Sequence, residues 1–127
     1  FRRVLFRSRH LWDYGARLKR GLQEVAAACG LQQHFSVEGP AISLNYITRD
    51  ASGAPSMKFR TLFSQEMIRN GVLMPWIAVS LSHEAAELDA TLAAAGKALA
   101  VYARALKDGV ERYLEGPEVK PVFRKFN

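Results

Sequence analysis

The chain has 127 residues, 49% hydrophobic and 24% charged, with a single cysteine and a formal net charge of +6. That length and apolar fraction suit one domain with a core and exclude disorder as the main state, and the longest apolar run, Val72 to Val79, falls far below the roughly 18 residues of a membrane span. A lone Cys29 excludes an internal disulfide, so a reducing, cytoplasmic setting is expected.

The charge sits at the two ends. Arg2, Arg3, Arg7 and Arg9 open the chain and Lys120, Arg124 and Lys125 close it. Between His10 and Leu114 there are 11 basic and 10 acidic residues, a net of +1, so nucleic acid is not the expected partner of the body. Phe1 is not an initiator Met, and the chain is expected to begin inside something longer. Residues 1–8 differ in texture from the rest of the chain; among a basic arm, a targeting remnant and a non-native scar we favour the scar and set them outside the fold.

Residues 9–29 read as a helix. Leu11, Leu18, Leu22, Val25 and Ala26 recur at steps of three and four, and Gly30 stands where a left-handed C-cap is needed. Two strands come next, His34 to Glu38 and Ala41 to Arg49. The second places Ile42, Leu44 and Tyr46 on one face and Ser43, Asn45 and Arg49 on the other. The cluster from Asp50 to Pro55 is a turn, and Ser56 is positioned to N-cap a helix over Met57 to Asn70 with Phe59, Leu62, Phe63 and Met67 inward. Gly71 ends that helix. Val72 to Met74 and Ile77 to Leu81 are strand-like, broken by Pro75-Trp76. Glu84, Glu87 and Asp89 open a long final helix whose core row is Leu88, Leu92, Ala95, Leu99, Tyr102 and Leu106. Its second row, Ala93, Gly96, Ala100 and Ala103, is small enough to admit a close neighbour. The order predicts an α+β fold in which helices cover an antiparallel or mixed sheet of three to four strands.

Chemistry is sparse. His10, His34 and His83 are scattered, and no His or Cys pair has metal-ligand spacing. Ser80-Leu81-Ser82-His83-Glu84 holds nucleophile, base and acid types, but neighbours in a row do not converge, so it reads as a strand end and a polar helix start. Cys29 reads as a buried, inert thiol, Met67 and Met74 as core and loop filler. Pro75-Trp76 is the odd feature, because loops of this kind are where sites are built. The tail from Val119 to Phe126 reads as a strap on another part of the protein.

Several segments together resemble one family. Tyr14-Gly15-Ala16-Arg17-Leu18 with Gly21-Leu22 is similar to the helix leading into the C-terminal small domain of class III aminotransferases. Phe63-Ser64-Gln65-Glu66-Met67, continuing to Gly71-Val72, resembles the segment before that domain's substrate-facing loop. Ser80 to His83 and Leu88-Asp89 with Thr91-Leu92 resemble the closing strand and final helix, and Gly116-Pro117 to Lys125 resembles endings in the glutamate-1-semialdehyde 2,1-aminomutase-like branch. The resemblance covers residues 9–127 and about the last quarter of a family enzyme. It implies the small domain of a fold-type I, pyridoxal-phosphate-dependent homodimer that moves an amino group between a donor and an acceptor.

The Schiff-base lysine and the acidic partner of the ring nitrogen would belong to a large domain absent here. Lys58 and Lys97 match no such motif, so no catalytic or cofactor-binding residue is assigned and the chain alone is expected to be inactive. By resemblance Met74, Pro75 and Trp76 are the substrate-binding residues. No Arg or Lys lies between Gly71 and Gly96, where many relatives hold a carboxylate-binding Arg. That departure favours transamination over strict aminomutase activity, with a bulkier or less acidic acceptor such as a sugar-like ketone. The rival reading is a stand-alone basic binding module for nucleic acid or an acidic partner.

Overall fold

The computed structural model describes residues 2–73 and 85–117, with side chains from Arg9 in the first span and from Ala86 in the second. In chain order these form α1 (Arg2–Ala28), β1 (Phe35–Glu38), β2 (Asn45–Thr48), α2 (Met57–Arg69) and α3 (Ala85–Asp108), then a 3-10 turn over Val110–Arg112. The architecture is α+β. Among the described residues it has three α-helices and one two-stranded antiparallel sheet, not the expected three to four strands. Val72 and Leu73 are irregular, and the rest of the expected strand pieces, 74–81, lies outside the described residues.

α1 starts at Arg2 rather than residue 9, so the segment expected to stand outside the fold is helical and continuous with the body. The physical reason is plain: from Arg2 to Tyr14 there is neither Gly nor Pro to stop a helix. Leu18, Leu22 and Ala26 are buried as their spacing predicts, while Val25 at the margin of that face and Leu11 two turns before Leu18 are half-buried.

Helix ends are set by local chemistry. Ser56, in extended conformation, accepts the Phe59 N–H at 3.3 Å and opens α2. At the other end Gly71 (φ +84°) donates to the Ile68 carbonyl and Val72 to the Met67 carbonyl, both at 2.9 Å. These two bonds are a Schellman cap: a glycine takes the left-handed position, and the apolar residue after it folds back on the helix. Gly30 and Leu31 repeat the same pair of bonds onto Ala27 and Ala26 after α1. In both cases the apolar follower, Leu31 or Val72, packs on the core.

The sheet pairs Phe35 with Thr48 and Val37 with Tyr46, and these four side chains are buried. Phe63 of α2 joins them, its ring 4.8 Å from that of Phe35 and 5.2 Å from that of Tyr46. Outward-facing carbonyls of the hairpin meet donors from elsewhere. Gln23 donates to Val37 at 3.4 Å, Arg60 to Tyr46 at 2.8 Å and the Ser56 N–H to Thr48 at 2.9 Å.

Ile42 departs from the expected strand face. Pro40 and Ser43 close a turn (N–H to carbonyl, 2.8 Å), which ends the alternation before β2 and leaves Ile42 47% exposed. The turn also presses the Ala41 carbonyl against Gly15 of α1, where a Cβ would overlap it.

α3 packs between the other two helices. Leu92 lies over Gly21 of α1, and the Tyr102 ring sits 4.6 Å from that of Phe59 in α2. Leu88, Ala95, Leu99 and Tyr102 are buried, whereas Leu92 and Leu106 are half-buried. Of the small row, Gly96 and Ala103 are half-buried while Ala93 and Ala100 are exposed, and three further small residues, Ala94, Ala98 and Ala105, are buried. By helical spacing these three share the Tyr102 flank toward α2, while α1 approaches the expected side, where a Val25 methyl lies 3.8 Å from a Cβ placed on Gly96.

Candidate functional site

Met74, Pro75 and Trp76 lie outside the described residues, as do Ser80 to Glu84 and the tail from Val119 to Phe126. The structure does describe the approach to the first group. After the Gly71 cap the chain leaves the core at an exposed apolar point, with Ile68 55% and Leu73 78% accessible.

The densest polar constellation among the described residues is at the end of the hairpin. Its anchor is Tyr102, fully buried in the middle of α3. The phenol oxygen lies 2.5 Å from the Arg49 carbonyl, to which it donates, and accepts the Arg49 N–H at 2.9 Å. The His34 carbonyl is 3.1 Å from the same oxygen and 2.7 Å from the Arg49 nitrogen. One side chain of α3 therefore holds both strands at the point where their pairing ends. Burial pushes the Tyr102 phenol well above the ordinary tyrosine range, outweighing the Arg49 amide and charge, which pull it down.

Polar side chains surround that anchor. The Arg49 guanidinium donates to the Ser36 hydroxyl at 3.1 Å. His34 Nδ1 lies 2.9 Å from the Asp50 carbonyl, an acceptor only, so Nδ1 carries the proton. The Asp50 carboxylate accepts from the Ser52 hydroxyl at 2.6 Å, the Ser52 N–H at 2.9 Å and the Ala54 N–H at 3.2 Å. The Ser52 hydroxyl bond leads the effects that lower its pKa, with the turn amides adding to it. This carboxylate serves its own turn.

A second polar group runs along α2. Lys58 pairs with Glu111 at 2.9 Å, the first cause of the lowered Glu111 pKa. Gln65 donates to the Tyr113 carbonyl and accepts the Glu115 N–H, both at 2.8 Å. Arg69 bridges the buried Glu66 at 3.0 Å and the exposed Glu115. Steps of seven and four place Lys58, Gln65 and Arg69 on one side of the helix, and together they tie down the chain after α3.

The remaining candidates are dispersed. The His10 ring lies tilted beside that of Tyr14 with centroids 6.2 Å apart, and Cys29 is half-buried against the core rather than fully enclosed. Met67 is core, as expected. Among the described residues no three His, Cys, Asp or Glu side chains form a metal-binding group, and no helix is long and apolar enough to cross a membrane. Sequence reasoning missed the Tyr102 anchor. Its signal was a lone phenol in a row of Leu and Ala, since a buried tyrosine hydroxyl requires a partner.

No protein-family model, curated protein or solved structure matches this chain.

Proposed function

We propose that this chain is the C-terminal small domain of a class III aminotransferase of the aminomutase-like branch, and that the parent enzyme transfers an amino group. The supporting observation is where the family-like residues fall. Tyr14, Leu18 and Leu22 on α1, Phe63 and Met67 with the Gly71-Val72 cap on α2, and Leu88 on α3 are packing and capping residues of one core. Residues of that kind specify a domain, so their order carries more weight than any one motif.

The described lysines do not fit a seat for pyridoxal phosphate. Lys58 is committed to Glu111, Lys19 donates to the Gly39 carbonyl, and Lys97 and Lys107 are exposed. In this reading the cofactor belongs to the large domain, which is the main partner of this chain within a homodimer. The exposed Ile68 and Leu73 are part of the surface that domain would cover, and by the resemblance Met74, Pro75 and Trp76 would be the substrate-binding residues.

The test has two arms. The purified chain, given pyridoxal phosphate, is expected to show no internal-aldimine absorption; a stoichiometric band trapped by borohydride on one lysine would refute the reading. The reading frame upstream of Phe1 is expected to encode a large domain with a Schiff-base lysine. In that full-length protein Trp76→Ala is expected to change KM or substrate preference with little change in the urea midpoint. A stability loss of about 3–5 kcal/mol with unchanged kinetics would make Trp76 a core residue instead.

A further inference from the structure

Arg49 combines a backbone fixed by a buried side chain with a half-buried guanidinium that meets no carboxylate among the described residues. Its backbone N–H and carbonyl are both held by the buried Tyr102 hydroxyl, so the side chain starts from a fixed point. The half-buried guanidinium has one side-chain partner among the described residues, the neutral Ser36 hydroxyl at 3.1 Å. Two other arginines are taken up within the chain. Arg60 lies 4.1 Å over the Tyr46 ring and bonds its carbonyl, and Arg69 has two carboxylates.

The fork is also not taken up by the adjacent carboxylate. Ser36 and Arg49 share the outer face of the hairpin by register, and the nearby Asp50 carboxylate is occupied by the Ser52 and Ala54 groups of its own turn. A guanidinium presents five N–H donors in a planar fork, of which Ser36 takes one.

We propose that Arg49 and Ser36 form a binding site for a carboxylate group. One guanidinium beside a neutral hydroxyl matches a single negative charge on a planar pair of oxygens, which the fork takes through two parallel bonds. Tyr102 positions the site from behind without touching the ligand. The site is read from the hairpin alone and stands or falls apart from the small-domain reading.

The experiment is a titration of the 15N-labelled chain with sodium acetate at constant ionic strength, with sodium chloride and inorganic phosphate as parallel arms. Saturable, millimolar shifts of the Arg49 Nε–Hε and Ser36 amide signals are expected with acetate and not with chloride. Arg49→Gln is expected to weaken acetate binding at least tenfold and Ser36→Ala several-fold, while Arg17→Gln, an exposed change on α1, leaves it unaltered. Should Arg49→Gln fail to fold, Arg49→Lys retains the charge but loses the fork, and at least fivefold weaker binding is expected. Shifts that stay linear, equal those of chloride, or persist in the Arg49 variants overturn the site. Phosphate binding without acetate binding overturns its assignment to carboxylates.

Discussion

Tyr102→Phe is expected to lower the unfolding free energy by about 1–3 kcal/mol, the penalty for a buried polar group left without its partner. The substitution keeps the ring against Phe59 and removes only the oxygen, so the Arg49 carbonyl loses its donor. Tyr102→Ala also opens a cavity at a fully buried site, and about 3–5 kcal/mol is expected. Urea unfolding of the three proteins checks the order. Equal midpoints for Tyr and Phe would show that the hydroxyl contributes nothing. Alkaline pH gives an independent reading. Burial raises the phenol's pKa in the folded chain, so above about pH 10 the unfolded state loses a proton that the native state retains. The associated stability is complete below that pH and is lost as pH rises. Tyr102→Phe should flatten that alkaline decline in part only, because Tyr14 is also raised by burial and Tyr113 by its bond to Asp108.

Two glycines in helices should respond to alanine with opposite signs. At Gly15 a Cβ would overlap the Ala41 carbonyl oxygen and lie 2.6 Å from its carbon, and backbone cannot step aside as a side-chain tip can. A net loss of about 1–3 kcal/mol is expected for Gly15→Ala, despite the better helix propensity of alanine. At Gly96 the nearest atom is a Val25 methyl at 3.8 Å, an ordinary contact. Gly96→Ala should therefore be neutral or stabilising, by up to about 1 kcal/mol. Thermal or urea unfolding of both variants decides it, and a Gly15→Ala protein as stable as the parent would refute the close contact of α1 with the turn.

What could be read from the sequence was what local chemistry determines. The face of α1 through Leu18, Leu22 and Ala26, the Ser56 cap and the Gly30 and Gly71 terminations each depend on residues within a few positions. Ile42 was misplaced because its alternation with Leu44 and Tyr46 is real in sequence, while the turn at Pro40 interrupts it in space. The flank of α3 was ambiguous because small residues line both sides of its leucine row. Both sides are used: α2 packs through Phe59 on the flank of Ala94, Ala98 and Ala105, and α1 approaches Gly96 on the other. The candidate sites were harder. The Tyr102 contact spans 53 residues to Arg49, and no periodicity joins such distant positions. Pro75-Trp76 stood out as a loop, but a substrate role for Met74, Pro75 and Trp76 came from resemblance, and all three lie outside the described residues.

Gln65 has a consequence for how the chain after α3 is attached. Its carboxamide gives one hydrogen bond and takes another, to the Tyr113 carbonyl and from the Glu115 N–H, as a neighbouring strand's peptide group would. The flanking links from Lys58 and Arg69 to Glu111 and Glu115 are exposed ion pairs, and ions in solution screen them. The carboxamide carries no charge to screen. Raising ionic strength therefore weakens the two outer links and spares the central one, so with Val110, Tyr113 and Leu114 also packed on the core the segment is expected to remain docked in brine.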